Sequence, residues 1–202
     1  MVSAQRRARE KENLRRAILD AARELFVTED YKAVSMRRIA EKIEYSPTAI
    51  YLYFKDKEEI LFNLIQEGFT LLYEKLSQLD IADPVERLRQ GGARYFEFAL
   101  THPQYYKLMF QLEVSGMEAV CIEKPEVGMQ TFGFIRACVI QAMEQGQFRK
   151  EVPEIIVSHT IWAHIHGAVS LALDRRLFHL PQEAHHAFYA NVVETTLRGL
   201  QA

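Results

Sequence analysis

Between Ser35 and Phe54 the chain signals two helix starts only eleven residues apart. Ser35 is placed to cap a helix that buries Met36, Ile39, Ala40 and Ile43 at three-four spacing. Ser46 caps the next, and Pro47 takes its first position, where a missing N–H costs nothing. Only Glu44-Tyr45-Ser46 separates the two. Helices this short need a third to lie on, and Leu14, Ala17, Ile18, Ala21, Ala22, Leu25 and Phe26 supply its apolar face. Two short helices, a tight break and a longer supporting helix make a helix-turn-helix. Helical periodicity also dominates the remainder and no strand pattern emerges, so the expected fold is all-α, with about nine helices.

In such a motif the second helix shows one face to the core and one to a partner. At about 100° per residue, Ile50 and Phe54 share the inward side, Thr48 and Leu52 point away, and Tyr51 and Tyr53 flank them. Hydroxyls and apolar groups of this kind bond phosphates, address base edges or touch a thymine methyl. Asp56 then caps a helix with Glu59 placed for a capping box. Lys57 falls in its first turn, where a cation is unfavourable unless an anion is bound. Residues 1–57 carry 13 Lys/Arg against 9 Asp/Glu, a net +4, while residues 58–202 carry −6. A basic front on an acidic body points to a polyanion partner for the front alone.

Residues 14–62 resemble the DNA-binding domain of the TetR family of bacterial transcriptional regulators. The likeness lies in Ile18-Leu-Asp-Ala-Ala-Arg-Glu-Leu-Phe26, Ser35-Met-Arg-Arg-Ile-Ala-Glu-Lys42, Ser46-Pro-Thr-Ala-Ile-Tyr-Leu-Tyr-Phe54 and Lys57-Glu-Glu-Ile-Leu61, in that order and spacing. The resemblance implies that Ser46–Tyr53 is the recognition helix. It further implies DNA contacts from Pro47, Thr48, Tyr51, Tyr53 and Lys57, with Ser35 and Arg37 or Arg38 as phosphate partners; Ser46 and the outward-pointing Leu52 complete the expected DNA-binding set. One departure is Glu44, where the family usually has a glycine in a left-handed conformation; a non-glycine there costs roughly 1 kcal/mol and is expected to reshape the turn. Arg6, Arg7 and Arg9 lie in an N-terminal arm of about residues 1–10, read either as a groove- or phosphate-reaching arm or as a solvated tail.

The division expected is a DNA-binding domain at 1–57 and an effector and dimer domain at 58–202. Later helix starts are marked by Pro84, Pro103, Pro125, Pro153 and Pro181, a helix stop by Gly146, and the least regular stretch is Val114–Gly128. The two helices after Pro153 and Pro181 are the dimer candidates, because a palindromic operator matches a two-fold homodimer. Trp162-Ala-His-Ile-His-Gly167 resembles the Trp-His-Gly signature of one C-terminal class among these regulators, which implies an effector-binding, dimerising domain. Tyr95, Phe98, Tyr106, Met109, Phe110, Phe132, Trp162 and His166 are the candidate ligand residues, and their chemistry suits an apolar or amphipathic small molecule.

No GxSxG, Walker loop, dinucleotide glycine pattern or Cys-His motif is present, so no catalytic residues are assigned and no enzyme is expected. The seven histidines show neither HxxxH nor HExxH spacing, and neither a metal nor a cofactor is expected. No signal peptide and no membrane span are read, and Cys121 and Cys138 suit reduced thiols in the cytoplasm. The rival reading is a helical partner- or ligand-binding protein of the same fold that has lost DNA binding, which Glu44 and the uncharged reading face make conceivable.

Overall fold

The computed structural model describes residues 2–112 and 126–202. The irregular stretch expected at Val114–Gly128, with Cys121 and Pro125, lies mostly outside them. Among the described residues there are nine α-helices: α1 (Val2–Thr28), α2 (Met36–Lys42), α3 (Pro47–Tyr51), α4 (Lys57–Ser77), α5 (Pro84–Thr101), α6 (Pro103–Phe110), α7 (Glu126–Glu144), α8 (Glu154–Leu173) and α9 (His185–Arg198). β structure among them is limited to one isolated bridge between Phe148 and Gln201.

The chain forms two compact units. The first comprises Met1–Gly68 with the described part of Gln104–Pro125, and the second Phe69–Pro103 with Glu126–Ala202. In the first, Ile18, Ala22, Ile39, Ala40, Ile50, Ile60, Leu61 and Leu64 are fully buried, so α1, α2 and α4 each bury an apolar stripe, and α2 packs on both α1 and α3. In the second, α5 packs on α7, α8 and α9, and α8 packs on α7 and α9. Close approach there depends on Gly92, where a Cβ would stand 2.8 Å from Val193 Cγ2.

Proline and serine punctuate as expected at α2, α3, α5 and α6, where Ser35, Ser46 and Asp83 cap. Pro153 stands one residue earlier than expected, at the N-cap of α8. Pro181 precedes a 3-10 turn at Gln182–Ala184 rather than α9 itself. The arm expected near residues 1–10 is instead the start of α1, which is helical from Val2. By length and composition α8 is apolar enough to cross a membrane, contrary to the sequence expectation. Its Val157, Ile161, Ile165, Ala168 and Val169 are buried within the second unit.

Three helices end in the same way. After α7, Gly146 at φ 72° donates to Met143 O and Gln147 donates to Ala142 O, the paired bonds of a Schellman motif. The identical pattern follows α2, where Glu44 at φ 60° donates to Glu41 O and Tyr45 donates to Ala40 O. It recurs after α8 at Arg175, φ 55°. The expected reshaping at Glu44 therefore does not occur: the residue accepts the left-handed conformation and the turn keeps its form. Glu44→Gly is expected to stabilise the first unit by about 1 kcal/mol, measurable as a rise in urea midpoint; an unchanged or lowered midpoint would show that the turn carries no strain.

Candidate functional site

Ile50 sits at the centre of the reading helix with no exposed surface, and its carbonyl accepts from the N–H groups of Tyr53 and Phe54. Those bonds close α3 at Tyr51, earlier than the Phe54 end expected from sequence, so Leu52 and Tyr53 lie in the closing turn. Anchoring one side in this way leaves the other bare. Leu52 is 77% exposed and Tyr51 56%, and Ser46, Pro47 and Thr48 are exposed with them. Tyr53 is half-buried. A monomeric protein has no stability reason to keep a leucine and a tyrosine this exposed side by side.

The flanking groups have partners already. Ser35 Oγ accepts from the Arg38 N–H at 3.1 Å and Ser46 Oγ from the Ala49 N–H at 3.3 Å, which leaves each hydroxyl proton to donate outward. Arg37 pairs with Glu41 and Arg38 with Glu29, both at 2.9 Å. A guanidinium has five donors, so each still has some to offer a phosphate. Asp56 accepts from the Glu59 N–H at 2.7 Å, but the return bond goes from the Lys55 N–H to Glu59 rather than from Asp56.

Lys57 differs most from the sequence expectation. Its Nζ donates to Tyr31 O at 2.7 Å and Val34 O at 2.9 Å and lies 4.1 Å from the centroid of the Tyr31 ring. Two of its three N–H donors thus tie the α1–α2 loop to the head of α4. The lysine is explained by these carbonyls without any bound anion. No sequence spacing announces such a bond, because its acceptors are backbone atoms of an irregular loop.

The eight candidate ligand residues fall into both units. Tyr106, Met109 and Phe110 belong to the first, where Tyr106 is fully buried with its ring 5.0 Å from the tilted Phe110 ring, and Met109 Sδ closes on Gly68. Tyr95, Phe98, Phe132, Trp162 and His166 belong to the second. There the Tyr95 hydroxyl stands 3.0 Å from His166 Nδ1, His166 lies 5.6 Å from the Trp162 ring, and Phe132 lies 4.5 Å from His159 and 6.4 Å from Trp162. Phe98 is fully buried. Four expected residues are thus joined in one polar-aromatic series, and His159, which sequence reasoning left out, completes it. A separate cavity of about 260 Å³ in this unit is lined by Phe148, Arg149, Glu151, Val152, Val157 and Leu200, none of them expected.

Burial holds the His166 imidazole below the ordinary histidine range. The unfolded chain takes up this proton near pH 6.5, the folded chain only at lower pH, so stability falls as the pH drops below about 6.5. His166→Gln should remove that part of the acid loss. The melting temperatures of the two proteins at descending pH check it, and parallel curves would contradict it.

A buried anchor, a bare reading helix and a capped, short turn on a supporting helix define a helix-turn-helix protein with a second, all-helical unit. Two family models divide the chain in the same sense. One described as "Bacterial regulatory proteins, tetR family" matches residues 18–64, and one described as "Tetracyclin repressor-like, C-terminal domain" matches residues 88–196. The chain belongs to the TetR family of transcriptional regulators, with a DNA-binding N-terminal domain and a ligand-binding C-terminal domain. Solved structures share the fold. The TetR family transcriptional regulator PfmR from Thermus thermophilus is 23% identical, with 92% of this chain and 99% of that one covered and a TM-score of 0.71. The fatty acid degradation regulator FadR from Bacillus halodurans is 22% identical, covering 91% and 94%, with a TM-score of 0.75. A protein of unknown function from Rhodococcus sp. is 23% identical, covering 94% and 96%, with a TM-score of 0.73.

Proposed function

We propose that the protein is a cytoplasmic, homodimeric repressor that leaves a palindromic operator when an apolar or amphipathic small molecule enters its C-terminal helices. Residues 1–57 read DNA in this account and residues 58–202 bind the effector and the second subunit, without enzymatic activity. The observation that carries the reading is the exposed Tyr51–Leu52 pair above the buried Ile50. Pro47, Thr48, Tyr51 and Leu52 address the bases; Ser35, Arg37, Arg38, Tyr53 and the remaining Lys57 donor address phosphates.

Dimerisation is supported by the surface of α8 and α9. Ile155, Ile156, Ala163 and Leu171 are exposed on α8, and a Cβ at Gly167 would meet nothing within 4 Å. On α9, Ala187 and Ala190 are exposed. An apolar stripe of small and branched residues lets a second copy approach closely. Effector binding is supported by the Tyr95–His166 pair beside Trp162 and Phe132, a polar end next to an apolar lining. Because one structural relative is named a fatty acid degradation regulator, straight-chain carboxylic acids are the first effectors to try.

Trp162 is the sole tryptophan, so its emission reports directly on this site. Titrating the acids should shift that emission and, over the same concentrations, release a fluorescent operator duplex. A shifted emission with operator affinity unchanged at saturation would overturn the release mechanism.

A further inference from the structure

α1 spans 27 residues, but its apolar stripe begins only at Leu14. Residues 2–13 therefore extend about 18 Å beyond the core at 1.5 Å per residue, and residues 5–13 are exposed throughout. A helix polar on every side has no core of its own to hold it. Its charges are arranged unevenly. At about 100° per residue, the line of buried Leu25, Ala21 and Ile18 and half-buried Leu14 continues backward through Lys11 and Arg7. Where that line leaves the core, its residues change from apolar to cationic.

The anions of this segment do not cancel them. Arg6 holds Glu10 at 2.8 Å, and Glu12 stands about 140° around the helix from Arg7 and about 100° from Lys11. Among the described residues, neither the Arg7 nor the Lys11 side chain has a hydrogen bond or ion pair. The helix leaves the core beside the end of the reading helix: the Arg15 guanidinium lies 5.4 Å from the Phe54 ring and donates to Asn63 Oδ1 at 2.8 Å. Exposed Lys55 follows Phe54 directly.

We propose that residues 5–13 of α1 form a rigid basic rod that lies against the duplex flanking the bases read by α3, with Arg7 and Lys11 on backbone phosphates. The inference rests on the DNA-binding reading and adds to it a sequence-independent contact outside the operator core. A rod of this length, about 13.5 Å, spans about four base-pair rises, so each protomer covers that much more DNA than the helix-turn-helix alone. Its rigidity matters: a preformed helix brings both cations to the backbone without the ordering cost a flexible arm would bear.

The test uses the full chain and an operator duplex selected by the wild-type protein from random duplexes, in its shortest bound form and extended at both ends with arbitrary sequence. Wild type should bind the extended duplex roughly tenfold more tightly at low salt, and with a salt slope steeper by about 2 per protomer, at about 0.9 per phosphate. The R7Q/K11Q protein keeps residues that favour helix and should lose this gain while binding the short duplex as wild type does. A8P, which breaks the rod before Lys11, should lose part of it. Equal affinities of wild type and R7Q/K11Q for the extended duplex would overturn the proposal. So would a gain that depends on the flanking sequence, and a full gain in A8P would overturn the rigid rod. Failure of wild type to select any duplex would instead remove the DNA-binding reading on which the inference rests.

Discussion

Ile50→Ala should cost the first unit about 2–5 kcal/mol and abolish selective DNA binding. Ile50 is the one buried residue of α3 and has no exposed surface. A helix of five residues has too few internal bonds to persist unaided, so its position depends on what this side chain fills. Removing three carbons leaves a cavity under the reading face and frees α3 from α2. Ile50→Val, which removes one methyl, should cost about 0.5–1.5 kcal/mol and retain binding. Chemical unfolding followed by circular dichroism, with operator anisotropy on the same samples, checks both. An alanine variant as stable as wild type would mean that the reading helix is held by something other than its buried anchor.

Tyr51→Ala should do the opposite: it should leave stability within about 0.5 kcal/mol, as exposed substitutions do, and lower operator affinity about ten- to a hundredfold, the equivalent of one lost base or backbone contact per subunit. Lys57→Ala serves as the contrast. Because its ammonium bonds Tyr31 O and Val34 O, its loss should cost about 1.5–3 kcal/mol of stability as well as affinity. The two variants therefore separate a residue that only reads DNA from one that also holds the reading unit together. Normal binding by Tyr51→Ala, or undiminished stability of Lys57→Ala, would reverse these roles.

Much of the fold was legible because it is written in local chemistry. Ser35, Ser46 and Asp56 cap where their spacing says they should, Pro84 opens α5, and Gly146 ends α7 in the left-handed conformation that glycine favours. Glu44 shows the limit of that reasoning, since the bonds to Glu41 O and Ala40 O impose the conformation on a residue that disfavours it. The exposed Thr48, Tyr51 and Leu52 followed from phase relative to Ile50 and Phe54.

What sequence did not show is long-range or lacks periodicity. Residues 2–13 carry no apolar repeat, so nothing marked them as helix. The bonds from Arg23 to the Tyr105 hydroxyl at 2.8 Å and from Lys107 to Val27 O at 2.6 Å join residues some eighty positions apart within the first unit. They turn part of an aromatic segment read as ligand lining into a brace for α1. The pairing of Tyr95 with His166 is likewise a product of packing between α5 and α8. Aromatic content alone could nominate these residues but could not sort them between two units.

The most direct measurement is binding of the purified protein to a fluorescent duplex of its own upstream region, against scrambled DNA and across salt concentrations. Selective binding that weakens steeply with salt is the predicted result. A folded protein that binds neither duplex at low salt would contradict the account at its centre.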